Sequence, residues 1–396
     1  MSFQKQQPIR AGMIGGGEGA FIGAVHRQAM AIDRQYELVC GAFSRDTQNN
    51  QQTAANLNIA AQRTYSSWQQ LLAAEALLPE QERMQVVIIV TPNHLHVPIS
   101  RAALQAGFHV FCEKPAGVSL AETQELAQEL AQSALLYGLA HTYLGYPMVW
   151  QARQLIVEGA IGTLRKIIVE YPQGWLTENL EANANKQASW RTDPTQAGAS
   201  GCMADIGTHA FGLAEFISQQ KISQLCAHLT SHIAGRQLDD DGAALFKTDE
   251  GVSGVLIASQ VCAGEENALK IRLFGDKGGI EWQQMEPNSL IVRSTHQPLH
   301  ILRAGKGQPG LCQAALDRCR LPGGHPEGYL EAMANLYLDF AKAIRAGQQG
   351  TAAGVPGIEA GLRGMAFIET ITQSSQSEQK WLSLPQQLHT AFKGVI

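Results

Sequence analysis

The stretch Ile9-Arg10-Ala11-Gly12-Met13-Ile14-Gly15-Gly16-Gly17-Glu18-Gly19-Ala20-Phe21-Ile22-Gly23 decides the fold class. An apolar, strand-like run feeds straight into a cluster of glycines and then into a helical pattern. Glycines at such a turn let backbone N–H groups approach a pyrophosphate, which then rests on the positive end of the following helix. A flexible turn without a ligand would also use glycines, but the strand before it and the helix after it favour the dinucleotide reading. Two registers compete, Gly15-x-Gly17-x-x-Ala20 and Gly17-x-Gly19-x-x-x-Gly23. Gly15, Gly17, Glu18, Gly19, Ala20, Phe21 and Ile22 are accordingly the first cofactor-contact candidates.

Outward from this turn, short β-branched runs alternate with helical segments as far as about Thr142: Ile9–Ile14, Leu38–Phe43, Val86–Val90, His109–Cys112 and Leu135–Ala140. That alternation predicts βαβ units and a doubly wound parallel sheet, an α/β Rossmann domain over residues 1–145. Ser119-x-x-Glu122 is a capping box opening a helix to about Ser133. Past Pro147 a helix, Met148–Glu158, ends at Gly159, and the pattern then shifts to longer strands: Ile222–His232, Gly242–Lys247, Gly251–Gln260, Ala268–Phe274, Gly279–Gln283 and Ser289–Arg293. Period-2 alternation there predicts a large, mostly antiparallel sheet in a second α/β domain over 146–396. Two final helices, Gly328–Arg345 and Gly357–Thr372, have the option of packing back on the first domain.

Ligands of open α/β sheets bind beyond the strand C-termini, so the residues there are the next candidates. At the second strand end, Ser44 and Arg45 stand where an acidic residue would take the ribose hydroxyls of NAD, which leans the cofactor towards NADP. The competing view makes Asp46 a helix cap and Arg45 a solvated charge. Thr91-Pro92-Asn93 with His96, and Glu113-Lys114-Pro115 one strand later, converge on the same crevice. Lys114 is the leading catalytic candidate there, against an ordinary surface lysine. His94-x-His96 has no Cys or carboxylate set to complete a metal site, and none is expected. Further on, Asp205 and His209 are spaced i, i+4 on a predicted helix, one face of which would carry carboxylate and imidazole together. A capping aspartate with a core histidine is the alternative.

Composition narrows the function classes. With 45% hydrophobic and 16% charged residues over 396, the chain is globular and long enough for two domains. Net charge is −5 without a basic stripe, so nucleic acid is not an expected partner. The longest apolar run falls far short of the roughly 20 residues of a membrane span, and the N-terminal stretch lacks an apolar signal core. Seven scattered cysteines make no C-x-x-C pair. Reduced thiols in a cytoplasm are expected.

Together the glycine loop, Thr91-Pro92-Asn93 with His96, Glu113-Lys114-Pro115, Leu155–Gly162 and Asp205-x-x-x-His209 resemble the glucose–fructose oxidoreductase/inositol dehydrogenase family over nearly the whole chain. The extended glycine loop, Asp239-Asp240-Asp241-Gly242 and Gly324-His325-Pro326-Glu327-Gly328-Tyr329 resemble the branch whose members include dehydrogenases of anhydrosugars or inositols. The resemblance implies NAD or NADP as cofactor and a small polyhydroxylated substrate. It assigns Lys114 to the nicotinamide side and a substrate hydroxyl, Asp205 to orienting the substrate, and His209 to general acid–base work. An unperturbed imidazole, with pKa near 6.5, suits that last task. Specificity is expected from the insertion Trp175–Pro194, with Trp190 and Arg191 joined by Tyr143, Tyr146 and His325; a surface loop with one buried tryptophan is the alternative. The Asp239–Asp241 run reads as a solvated hairpin turn. Two other functions stay open: an NAD-dependent glycoside hydrolase or lyase using transient oxidation, and a cofactor-binding regulator without chemistry. A homo-oligomer, dimer or tetramer, is expected through the open face of the second sheet.

Overall fold

The computed structural model describes residues 7–183 and 185–385. Five parallel strands, β1 (Ile9–Gly15), β2 (Tyr36–Ala42), β3 (Val86–Val90), β4 (His109–Cys112) and β5 (Tyr137–Leu139), form one sheet in the order β2-β1-β3-β4-β5. Its helices are α1 (Phe21–Ile32), α2 (Thr47–Asn56), α3 (Trp68–Ala76), α4 (His96–Gln105) and α5 (Leu120–Ala131). Local chemistry starts several of them. Asp46 caps α2 by accepting from the Asn49 N–H, Ser67 caps α3, and Ser119 with Glu122 forms the expected capping box of α5. β3 is buried along its whole length, as a central parallel strand covered on both faces must be.

The order of strands reverses direction beside β1, so the loops after β1, β3 and β4 face one crevice. The second sheet has nine strands, from β6 (Leu164–Pro172) through β7 (Ile222–Thr230), β8 (Asp241–Thr248), β9 (Ser253–Ser259), β10 (Lys270–Gly275), β11 (Gly278–Gln283), β12 (Ser289–Ser294) and β13 (His300–Arg303) to β14 (Trp381–Ser383). Their order is β13-β12-β11-β10-β6-β9-β8-β7-β14, antiparallel except for the central β6–β9 pair. The sequence reading thus holds for the sheet type and for six of its strands. It missed β6, β13 and β14.

On one face of this sheet lie α6 (Pro147–Val157), α9 (Thr208–Ser218) and α12 (Ile358–Gln376); α7 (Lys186–Arg191), α8 (Pro194–Ala197) and α10 (Gln313–Leu316) are short pieces in connections. Phe211 of α9 stacks on Phe367 of α12 at 4.6 Å, and Arg363 of α12 is held by buried Glu215 of α9. Among the described residues the other face shows Leu245, Ile257 and Trp381 to solvent. The long helix α11 (Tyr329–Arg345) leaves this half and packs against the first sheet, burying Met333, Leu336, Tyr337 and Phe340 with strand residues such as Ile88 and Phe111. No helix among the described residues is long and apolar enough to cross a membrane.

Candidate active site

β1 ends at Gly15 and α1 begins at Phe21, so the turn between them is short and glycine-built. Gly16 has φ +75°, and a Cβ on Gly23 of α1 would stand 2.4 Å from the Gly16 Cα; the helix can start this close to the strand only without side chains at both places. Glu18 is drawn onto α2: its N–H donates to Thr53 Oγ1 at 3.0 Å, its carbonyl accepts from Asn49 Nδ2 at 3.1 Å, and its carboxylate accepts from Asn56. The α1 N-terminus has no side-chain cap and no acidic residue in its first turn. Its free N–H groups are an anion site. Phe21 is exposed and Ile22 half-buried at its mouth. Beside Gly15, the buried Thr91 Oγ1 has no protein partner. An uncapped helix start, a cradle too tight for side chains and an orphaned hydroxyl fit a dinucleotide.

At the β2 end, Asp46 is committed to capping α2, Ser44 accepts from the Asp46 N–H at 3.1 Å, and Arg45 is exposed. Pro92 opens a short turn, and the Asn93 amide crosses to the Ala197 carbonyl at 3.0 Å. His96 is fully buried, its ring nitrogens 2.7 Å from the Pro115 carbonyl and 2.8 Å from that of Thr91. The expectation of direct side-chain contact with a cofactor is therefore corrected for His96, which ties the two strand-end loops to each other from behind. Glu113 is likewise turned inward, at 2.8 Å from His26 Nε2, with His26 Nδ1 2.6 Å from the Tyr337 hydroxyl. Burial alone would raise the Glu113 carboxyl, but His26 and Lys114 bring it below its ordinary value.

Lys114 leads into a cis peptide with Pro115 and sends its ammonium across to the second half of the chain. Nζ donates to the Asp205 carbonyl at 2.6 Å and to its carboxylate at 2.9 Å. The other carboxylate oxygen of Asp205 accepts from Gln260 Nε2 at 2.9 Å and lies 3.3 Å from Arg191 Nε. Burial would raise this carboxyl, but the Lys114 and Arg191 charges hold it well below the usual carboxylate range. The segment that carries it differs from expectation. Met203–Gly207 is a π turn, and the α-helix begins only at Thr208. Asp205 and His209 thus do not share a regular helical face, and no hydrogen bond joins them.

His209 is 8% exposed, its ring edge-on to Tyr143 at 4.8 Å and to His141 at 5.6 Å, and its Nδ1 is buried without a partner. Burial first, then the Lys114 charge, pulls its pKa well below the ordinary value, so the expectation of an unperturbed imidazole is corrected: the ring is firmly neutral at pH 7. Arg191 lies over Trp190 at 4.2 Å to the ring centre and faces Trp175 at 5.9 Å. Tyr143 joins the cluster through its hydroxyl, which meets that of Tyr171 and accepts from Asn267 at 3.0 Å. Tyr146 is buried between Tyr143, 6.4 Å away between near-parallel rings, and Trp282 of the nine-stranded half, 5.4 Å away. His325 is exposed, and among the described residues its ring pairs with the Pro322 carbonyl at 3.2 Å. Tyr329, four residues on, is the part of that segment that approaches, 5.9 Å from Tyr143 between ring centres.

His141, Tyr171, Gln260, Asn267 and Tyr329 escaped the sequence reading. His141 and Gln260 each follow the end of a strand that was recognised, and that position was the available signal. Tyr171 sits near the end of unrecognised β6. The Asp239–Asp241 reading is overturned. Asp240 is fully buried against Arg236, and Asp239 accepts from backbone N–H groups at 201 and 203.

A crevice built by a glycine turn, with an ammonium, a carboxylate and a neutral imidazole at its far end, defines a dinucleotide-dependent oxidoreductase. Residues 9–141 match the model of the oxidoreductase family with NAD-binding Rossmann fold, and 149–281 that of the GFO/IDH/MocA C-terminal domain. The chain belongs to the GFO/IDH/MocA family of oxidoreductases. An inositol dehydrogenase homolog from Azotobacter vinelandii, solved with NAD+, is 34% identical with TM-score 0.90, over 95% of this chain and 97% of that one. The same homolog is also solved with NADH and myo-inositol. An oxidoreductase from Sinorhizobium meliloti is 39% identical with TM-score 0.85, over 95% and 100%. The levoglucosan dehydrogenase of Pseudarthrobacter phenanthrenivorans is 25% identical over 96% of this chain and 99% of its own length.

Proposed function

We propose that this chain interconverts a secondary alcohol and a ketone of a sugar, inositol or related polyol, using NAD or NADP. The observation that carries the reading is the ion cluster of Lys114, Asp205 and Arg191 beside a neutral His209. The nicotinamide, when bound, supplies the hydride acceptor or donor. Residues 15–22, Ser44, Arg45 and the Thr91-Pro92-Asn93 turn would hold the dinucleotide, and residues 1–145 would be its domain. Lys114 stabilises charge developing on the reacting oxygen. Asp205 fixes that ammonium and orients a neighbouring hydroxyl. His209, neutral and hence able to accept, takes the hydroxyl proton at a ring nitrogen. Arg191 on Trp190 forms a polar and apolar wall suited to a sugar ring. Arg45, beside an Asp46 whose carboxylate caps α2, favours NADP. The sheet face exposed among the described residues, on which Trp381, Cys226, Leu245 and Val255 lie in one cross-strand row, supports a homo-oligomer.

The test is a screen of myo-inositol, levoglucosan, D-glucose and D-xylose with each cofactor, followed at the nicotinamide absorbance. Stoichiometric formation of reduced cofactor with at least one of them is expected. Bond cleavage without net reduced cofactor would replace this reading with the transient-oxidation one, and silence with every compound would overturn it.

A further inference from the structure

We infer that Asp239 and Asp240 are paired positioning residues, the first aligning the segment that bears Asp205 and His209, the second aligning the insertion that bears Arg191. The two carboxylates are adjacent in sequence yet serve different elements. Asp239 Oδ1 accepts from the Gly201 N–H at 2.8 Å and Oδ2 from the Met203 N–H at 2.9 Å, while its carbonyl accepts from the Cys202 N–H at 2.8 Å. Three consecutive N–H groups at the start of the π turn are thereby satisfied from across the chain, where a helix cap would satisfy them from its own residues. The approach is too close for a side chain at 201, whose Cβ would stand 2.5 Å from the Asp239 carbonyl.

Asp240 works in the other direction. Its carboxylate is fully buried, accepts from the His232 and Ile233 N–H groups of its own turn at 2.9 and 3.2 Å, and pairs with Arg236 Nη1 at 2.9 Å, so that it reaches the insertion through that guanidinium. The same guanidinium grips the insertion at the Glu181 carboxylate, 2.8 and 2.9 Å, and at the carbonyls of Leu176 and Glu178. The Asp240 carbonyl also accepts from the Gln260 N–H at 2.8 Å, and Gln260 is the residue whose side chain reaches Asp205. Gln260, which touches the Asp205 carboxylate, and the 176–181 stretch of the insertion that carries Arg191 are thus both tied to this one two-residue turn.

The inference rests on the dehydrogenase reading of that cluster, and its test separates the two. Asp239→Asn, Asp240→Asn and Lys114→Met are compared with wild type on whichever of the four screened compounds turns over fastest, and amide exchange of the substrate-free proteins is followed by mass spectrometry. Asp239→Asn is expected to lower kcat at least about tenfold with KM within about threefold, and Asp240→Asn to raise KM about three- to tenfold with kcat nearly kept. Exchange should quicken over 200–210 in the first and over 175–192 in the second, with α12 unchanged. Glu181→Gln repeats the second arm at a less buried end of the clamp, should Asp240→Asn fail to fold. Equal losses in kcat and KM from both variants, or exchange that rises everywhere or nowhere, would overturn the positioning role. If Lys114→Met keeps its turnover, the catalytic reading of the ion cluster falls instead, and the exchange pattern still decides the clamp.

Discussion

Lys114 and Asp205 are 91 residues apart in sequence, yet one ammonium nitrogen bonds both the carbonyl and the carboxylate of that single aspartate, at 2.6 and 2.9 Å. The first comes from the end of a parallel strand, the second from a π turn in the other half of the chain. This contact joins the two sheets' chemistry at one point, and a double grip orients the ammonium more tightly than a lone ion pair between exposed groups would.

Lys114→Met retains much of the stem's packing and deletes the charge. kcat/KM should fall at least about 10²-fold, as for loss of a preorganised electrostatic contact. The protein should remain soluble and melt within a few degrees of wild type. Near-normal turnover, or loss only through unfolding, would make Lys114 a structural residue.

His209→Ala should lower kcat by about 10²–10⁴-fold, the usual worth of a positioned acid or base, and leave cofactor binding unchanged. Because burial and Lys114 depress the imidazole, the free protein keeps it neutral as pH drops through 6.5. The acid limb of kcat/KM in the oxidation direction should therefore lie well below that value. A limb centred at the ordinary histidine pKa would count against His209 as the base.

Arg45 is exposed at the end of β2, and the neighbouring Asp46 carboxylate caps α2. Titration should find NADP bound at least as tightly as NAD, and Arg45→Ala should weaken NADP about tenfold, roughly 1.4 kcal/mol, with NAD unaffected. Tenfold tighter NAD binding by the wild type would reverse the assignment.

Stability should depend on His141, 6% exposed, whose pKa burial and the Lys114 charge bring down to about 4. The unfolded chain binds the proton near pH 6.5 and the folded chain does not, so this stability is whole above pH 6.5. It is lost as pH falls towards 4, at about 1.4 kcal/mol per pH unit. Thermal melts between pH 7.5 and 4.5 should show a shallower decline in His141→Asn. Parallel curves would place the proton uptake elsewhere.

The first sheet was largely legible because each of its strands carries its own signal: Val86–Val90 is a solid apolar run and Gly15–Gly19 a turn few other structures need. The second sheet was legible where strands alternate in hairpins, but β6 pairs with β9 and β10, both far along the chain, so no neighbouring hairpin partner announces it. Lys114, Asp205 and His209 could be named from motifs. Their supports could not. Gln260 and Asp239 matter because of what a remote segment brings to them, and Asp239 in isolation looks like any carboxylate in a polar turn. His325 was legible only as an imidazole near a suspected cleft, which carries no mark of whether it faces it; it is exposed and bonded to the Pro322 carbonyl.

Tyr337 of α11 meets His26 at 2.6 Å and stacks on Phe111 at 4.5 Å between ring centres, so the helix that completes the first sheet's covering is supplied some two hundred residues after that sheet ends. Severing the chain near residue 145 would strip the nucleotide half of a wall, leaving strand residues such as Phe111 facing water. What sequence divides into two modules, folding treats as interlocked. Transplanting the cofactor half into a relative would succeed only if α11 travelled with it, and recombination within such a lineage would have to exchange both ends of the chain together.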